Sequence, residues 1–276
     1  MRSWSIPLFH IRGIQLALHG SFLLLLAYVA WMGWGEGGAP GLWWNSLTLI
    51  GFFTCVVLHE LGHSLTARRY GVHVRRILLM PIGGMAEFDS IPRRPSHELV
   101  ITIAGPAVNF VIAGLLWFVL PRGEVLLHSF QGFLLQLFFA NLVMGVFNLL
   151  PAFPMDGGRI LRAALATRLP YLRATRIAAN VGKLFCVTGA AVAVLGHHVG
   201  IGWFEEPAWL LAALFAFIFF AGEAEYRSVL RRERDEAHWR EMLTRHVMAA
   251  PVAPVLPPLL PRNEPNARED ASPADG

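Results

Sequence analysis

The segment His59-Glu60-Leu61-Gly62-His63 puts two imidazoles and a carboxylate inside a stretch otherwise suited to lipid. On a helix, residues four apart share a face, so His59 and His63 both reach one ion. Glu60, turned about 100° from His59, stands beside that ion rather than on it. Zinc hydrolases use this arrangement: two imidazoles hold the ion, and the carboxylate takes a proton from the attacking water. Two histidines and a structural Glu packed between helices are the rival reading. Uncompensated, such groups at lipid depth cost on the order of several kcal/mol, and a metal supplies the compensation.

Tetrahedral zinc with two imidazoles and a water lacks one protein ligand. Asp156, within Pro151-Ala152-Phe153-Pro154-Met155-Asp156-Gly157-Gly158-Arg159, is the best candidate. Pro151 and Pro154 forbid regular helix, and Gly157-Gly158 let the backbone turn sharply. The competing role for Asp156 is an N-cap ahead of a helix over 157–169.

These residues need elements that bring them to one depth. Of the 276 residues, 55% are hydrophobic and only 15% charged, against about 25% charged in a soluble domain. Apolar runs recur near the length that spans a bilayer. The fold class expected is an all-α polytopic membrane protein with about six transmembrane helices, near 14–34, 47–67, 98–119, 130–150, 176–196 and 207–222. Lys183 interrupts the fifth, and the sixth is short. The net charge of +4 is a topology signal rather than a nucleic-acid footprint. Arg2 and Arg12 precede span one, Arg68, Arg69, Arg75, Arg76, Arg93 and Arg94 follow span two, and Arg159, Arg162, Arg168, Arg173 and Arg176 follow span four. Arg227, Arg231, Arg232 and others follow span six, whereas the opposite loops hold only Arg122. This positive-inside bias puts both termini in the cytoplasm and agrees with an even span number. His59, His63 and Asp156 then all lie toward cytoplasmic span ends.

Between spans two and three the rhythm changes. Residues 72–80 and 85–88 look like two extended pieces around Ile82-Gly83-Gly84, a hairpin signal. Pro81 limits the first strand to an edge role. Residues 1–13 form a short lead-in of possible extended character, and 33–46 a Gly- and Trp-rich outward loop. Cys55 and Cys186 read as small buried hydrophobes. Residues 226–248 read as a charged cytoplasmic helix and 249–276 as a Pro-rich disordered tail.

Three motifs together give the chain a family resemblance. HExxH in an apolar span, Gly105-Pro106-Ala107-Val108-Asn109 in the third span, and Asn148-Leu149-Leu150-Pro151-Ala152-Phe153-Pro154-Met155-Asp156-Gly157 after the fourth resemble the site-2 protease family of intramembrane zinc metalloproteases. Met80-Pro81-Ile82-Gly83-Gly84-Met85-Ala86 is similar to that family's membrane-inserted hairpin, which pairs with an unwound substrate. The resemblance covers residues 5 to about 225. It implies one Zn2+ on His59, His63 and Asp156, with Glu60 as general base and acid in peptide hydrolysis. It implies substrate contacts near Asn148, Pro154, Gly83 and Gly84, leaves Asn109 as interhelical glue, and gives Gly105 and Pro106 close packing and a kink. Its implied partners are single-span membrane proteins within the bilayer, such as anti-sigma factors or signal-peptide remnants, and its implied location is a bacterial cytoplasmic membrane. The similar branch often ends in paired cystathionine-β-synthase-type domains, for which this C-terminus is too short.

Two rivals stay open. One is a membrane zinc hydrolase acting on lipid or prenylated termini. The other is a metal-ion transporter, against which stand the unexplained Glu60 and the lack of repeat halves. His19 and His197-His198 read as interfacial or packing residues, and His73 is undecided.

Overall fold

The apolar run that opens the chain folds as strand before it folds as helix. The computed structural model describes residues 4–88, 94–120, 126, 128–196 and 208–249. Strand β1 (Ser5–Ile11) returns through Arg12-Gly13 into β2 (Ile14–His19). Both turn residues have positive φ, which suits a tight hairpin. The span expected from residue 14 therefore begins at Ser21, where α1 (Ser21–Arg69) starts. A six-residue apolar run carries too little period to separate strand from helix. Here β3 (Val74–Met80), far along the chain, pairs with β2 and decides for strand.

Non-helical backbone at Gly37 and Gly38 breaks α1 into two arms. The arms run back along each other, because Phe22 and Phe53 stack edge to face with ring centroids 4.6 Å apart. Near the bend the backbones touch: a Cβ on Gly33 would lie 2.5 Å from the Gly41 carbonyl oxygen. The outward loop expected over 33–46 thus shrinks to two glycines. After β4 (Gly83–Phe88) come α2 (Pro95–Val119), α3 (Phe130–Asn148), the short α4 (Asp156–Ala166), α5 (Tyr171–Leu195) and α6 (Trp209–Ala249). Five of these helices are long and apolar enough to cross a membrane. With α1 doubled on itself they supply the six passages expected. This is a membrane protein of helices with a small sheet.

The sheet exceeds the hairpin expected. Its order is β1-β2-β3-β4, with β2 parallel to β3 and β4 antiparallel to β3. Pro81 does not confine β3 to an edge, since it falls just past the strand, in the turn Pro81-Ile82. The Gly83-Gly84 pair is not the turn but opens β4, with Gly83 at φ 136°. A parallel pair needs a long crossover, and the two arms of α1 provide it. Ile14, Leu16, Val74, Ile77 and Leu79 of the sheet share one buried cluster with Phe53, Val56, Val57 and Leu61 of the second arm. That contact fixes the HExxH helix against the sheet.

The chain divides into two units, residues 1–231 and 232–276. In the second, the described helical residues carry exposed four-apart pairs, Arg240–Glu236 and Arg245–Glu241. The one helix α6 takes in both the expected sixth span and the charged segment. His197-His198, Arg2, Arg93, Arg122 and the Pro-rich tail from residue 250 lie outside the described residues.

Candidate metal centre

Three side chains from two distant segments converge on one point. His59 and His63 come from the second arm of α1, and Asp156 is the first residue of α4. The two Nε2 atoms are 3.1 Å apart, and Asp156 Oδ2 lies 3.1 Å from His63 Nε2 and 3.3 Å from His59 Nε2. All three residues are buried. The helix N-cap is Met155 rather than Asp156, so the capping role weighed for Asp156 gives way to contact with the imidazoles.

The hydrogen bonds behind the ligand atoms orient both rings and assign a proton to each Nδ1. The Leu137 carbonyl can only accept, so Asn141 donates to it through Nδ2 at 2.8 Å. Asn141 Oδ1 then faces Asn109 Nδ2 at 2.9 Å, which leaves Asn109 Oδ1 for His59 Nδ1 at 2.5 Å. His59 Nδ1 must therefore donate. His63 Nδ1 likewise donates to the Ile101 carbonyl at 2.8 Å. Neutral imidazoles protonated at Nδ1 present bare lone pairs at Nε2. With both rings in that neutral form, two Nε2 lone pairs and a carboxylate oxygen converge on one point, a donor set suited to a metal cation. Tetrahedral zinc ligands at about 2.0–2.2 Å from the ion stand roughly 3.3–3.5 Å from each other, close to the spacing found. The donor set fits zinc.

Three further features hold this geometry. A Cβ on Gly105 of α2 would overlap His63 Nε2 and come within 2.8 Å of His59 Nε2, so glycine lets α2 lie flat on both rings. Arg162 of α4 is 2% exposed and Glu98 of α2 3%. Arg162 donates to Glu98 Oε1 through Nε at 2.8 Å and also through Nη2. Its guanidinium lies 5.2 Å from the ring centres of both Phe153 and Tyr171. This pair fastens the helix that begins with Asp156 to the helix that supports the histidines. Third, Gly84 of β4 sits against Glu60, where a Cβ would be 2.8 Å from Glu60 Cγ.

The remaining expected residues are placed as follows. Asn148 Nδ2 donates to the Met144 carbonyl of its own helix at 3.0 Å. Pro154 is exposed and follows a cis peptide bond in the loop before Asp156. Gly157 and Gly158 are helical rather than turning, and the backbone of residues 149–153 packs where their Cβ atoms would be. His19 Nδ1 pairs with Ser21 Oγ at 2.6 Å where β2 meets α1, and His73 lies just before β3. Cys55 and Cys186 are buried free thiols.

Sequence reasoning missed the orienting role of Asn109, the part of Asn141, and the Glu98–Arg162 pair. A signal for the asparagines existed: two amides at lipid depth require partners. Arg162 was hidden among the loop arginines, and it is a buried cation rather than a solvated one.

The family model described as peptidase family M50 matches residues 47–127 and 120–189. The chain belongs to peptidase family M50, the site-2 proteases. A zinc metalloprotease of Methanocaldococcus jannaschii is 40% identical over 227 residues, 82% of this chain and 62% of that protein. Stage IV sporulation protein FB of Bacillus subtilis is 31% identical over 193 residues, 69% of this chain and 61% of that protein. This M50 chain thus spans about three fifths of the length of the curated relatives it matches. The solved structure of a site-2 protease from Methanocaldococcus jannaschii shares 39% identity and a TM-score of 0.56, covering 81% of this chain and 95% of that one.

Proposed function

We propose that this protein is a zinc-dependent intramembrane endopeptidase that cleaves transmembrane segments of single-span membrane proteins near the cytoplasmic face. The observation that carries this reading is the convergence of three ligand atoms, from His59 and His63 of α1 and Asp156 at the start of α4, beside Glu60. When bound there, zinc polarises the scissile carbonyl and the water beside it. Glu60 takes a proton from the attacking water and returns it to the leaving nitrogen. Its place against Gly84 supports a further step: a substrate unwound from helix adds as a strand to β4, which with β1 forms the two edges of the sheet among the described residues. Gly83 and Gly84 keep that strand free of side chains beside the carboxylate. Asn148 and Pro154 border the same loop, and Asn148 exchanges its own-helix carbonyl for the substrate. The arginine asymmetry supports both termini in the cytoplasm, with the centre toward that side.

The test compares membrane proteomes of cells making wild type or Glu60→Gln. Intact precursors should accumulate, and truncated spans vanish, in the variant, while purified variant keeps about one zinc per chain. A drop of about 10²–10⁴-fold in cleavage is expected from losing a general base. Unchanged proteomes together with metal flux in liposomes would make the protein a transporter instead.

A further inference from the structure

Lys183, which interrupts the fifth apolar span, opens onto a cavity of about 610 Å³ whose lining includes none of the metal-centre residues. Phe219, Phe220, Glu223, Ala224, Arg227 and Arg231 of α6 complete its lining. Lys183 Nζ meets Glu223 Oε2 at 2.5 Å, and Arg227 Nε meets Glu223 Oε1 at 2.5 Å. Both carboxylate oxygens are thereby engaged, and three cations face one anion. Arg231, exposed, lies one helical turn beyond Arg227.

The cavity also has a polarity gradient along α6. From Trp209 to Gly222 no charged residue occurs, and from Glu223 onward charges follow every few residues. Phe219 and Phe220 therefore flank the cavity on its hydrocarbon side and the arginines on its aqueous side. Lys183, 5.8 Å from the Phe219 ring centre, ties the α5 wall to this level. An occupant must be anionic at one end and apolar at the other.

We propose that this cavity binds an anionic glycerophospholipid, its phosphate among Lys183, Arg227 and Arg231 and an acyl chain along Phe219 and Phe220. Excess positive charge at headgroup depth attracts such a lipid, and Glu223 holds Lys183 and Arg227 in place for it.

Native mass spectrometry of the full chain in neutral detergent tests this, with phosphatidylglycerol, phosphatidylcholine and inorganic phosphate as probes. Wild type should retain phosphatidylglycerol about tenfold more tightly than phosphatidylcholine. Arg227→Gln with Arg231→Gln should abolish that preference while zinc content stays unchanged. Should the double variant not fold, Arg231→Gln alone, at an exposed position, should still weaken the preference several-fold. Equal retention of the two lipids by wild type overturns the proposal, as does an unchanged preference in the variants. Displacement of phosphatidylglycerol by millimolar inorganic phosphate would also overturn it, making this a site for free phosphate.

Discussion

Asn109 does more at residue scale than its place in a packed helix pair suggests. Its Oδ1 selects the His59 tautomer that leaves Nε2 bare, and Asn141 in turn selects the orientation of Asn109. Removing such a partner lowers metal affinity by about 10–100-fold. Asn109→Leu should therefore weaken zinc binding by that factor, read by competition with a chelator. Asn141→Leu should do the same in milder form. Gly105→Ala is expected to be harsher, because the added methyl occupies the space of the imidazole nitrogens. The variant should purify with well below one zinc per chain by elemental analysis; a full complement would show that α2 yields to the methyl. Spacing alone made His59, Glu60 and His63 legible as candidates. It could not reveal Asn109, since hydrogen bonding between helices depends on which faces meet.

At the scale of elements, the Glu98–Arg162 pair links α2 to α4 and so sets where Asp156 sits. Breaking a buried pair from one side strands the remaining charge and costs about 3–5 kcal/mol. Arg162→Met should lower the thermal midpoint in detergent sharply. Combining it with Glu98→Gln should recover much of that loss, because no uncompensated charge then remains. If the double variant is as unstable as the single one, the pair acts through packing against Phe153 and Tyr171 rather than through charge. Elements were unevenly legible. Spans at 98–119 and 130–150 fell within two or three residues of α2 and α3, because long apolar runs have one solution in lipid. Strand β2 was absorbed into span one, since its residues run straight on into the apolar helix and, of its two partners, only β1 is local, while β3 lies more than fifty residues later.

Across the whole molecule, the arginine distribution predicts that both ends face the cytoplasm. Ser5→Cys and Ser228→Cys should resist a membrane-impermeant maleimide in intact cells and react after permeabilisation. Native Cys55 and Cys186 are buried and keep the background low. Labelling of one site alone in intact cells would demand an odd number of crossings. For the first two passages the sheet gives an answer that owes nothing to charge. Strand β2 leads into the outgoing arm of α1 and β3 follows the returning arm, yet Leu16 pairs with Ile77 and Leu18 with Leu79. Departure and return are stitched together on one leaflet. During synthesis, β2 must wait with one edge unpaired until the hairpin of α1 has come back, so closing the sheet records that both arms have been inserted.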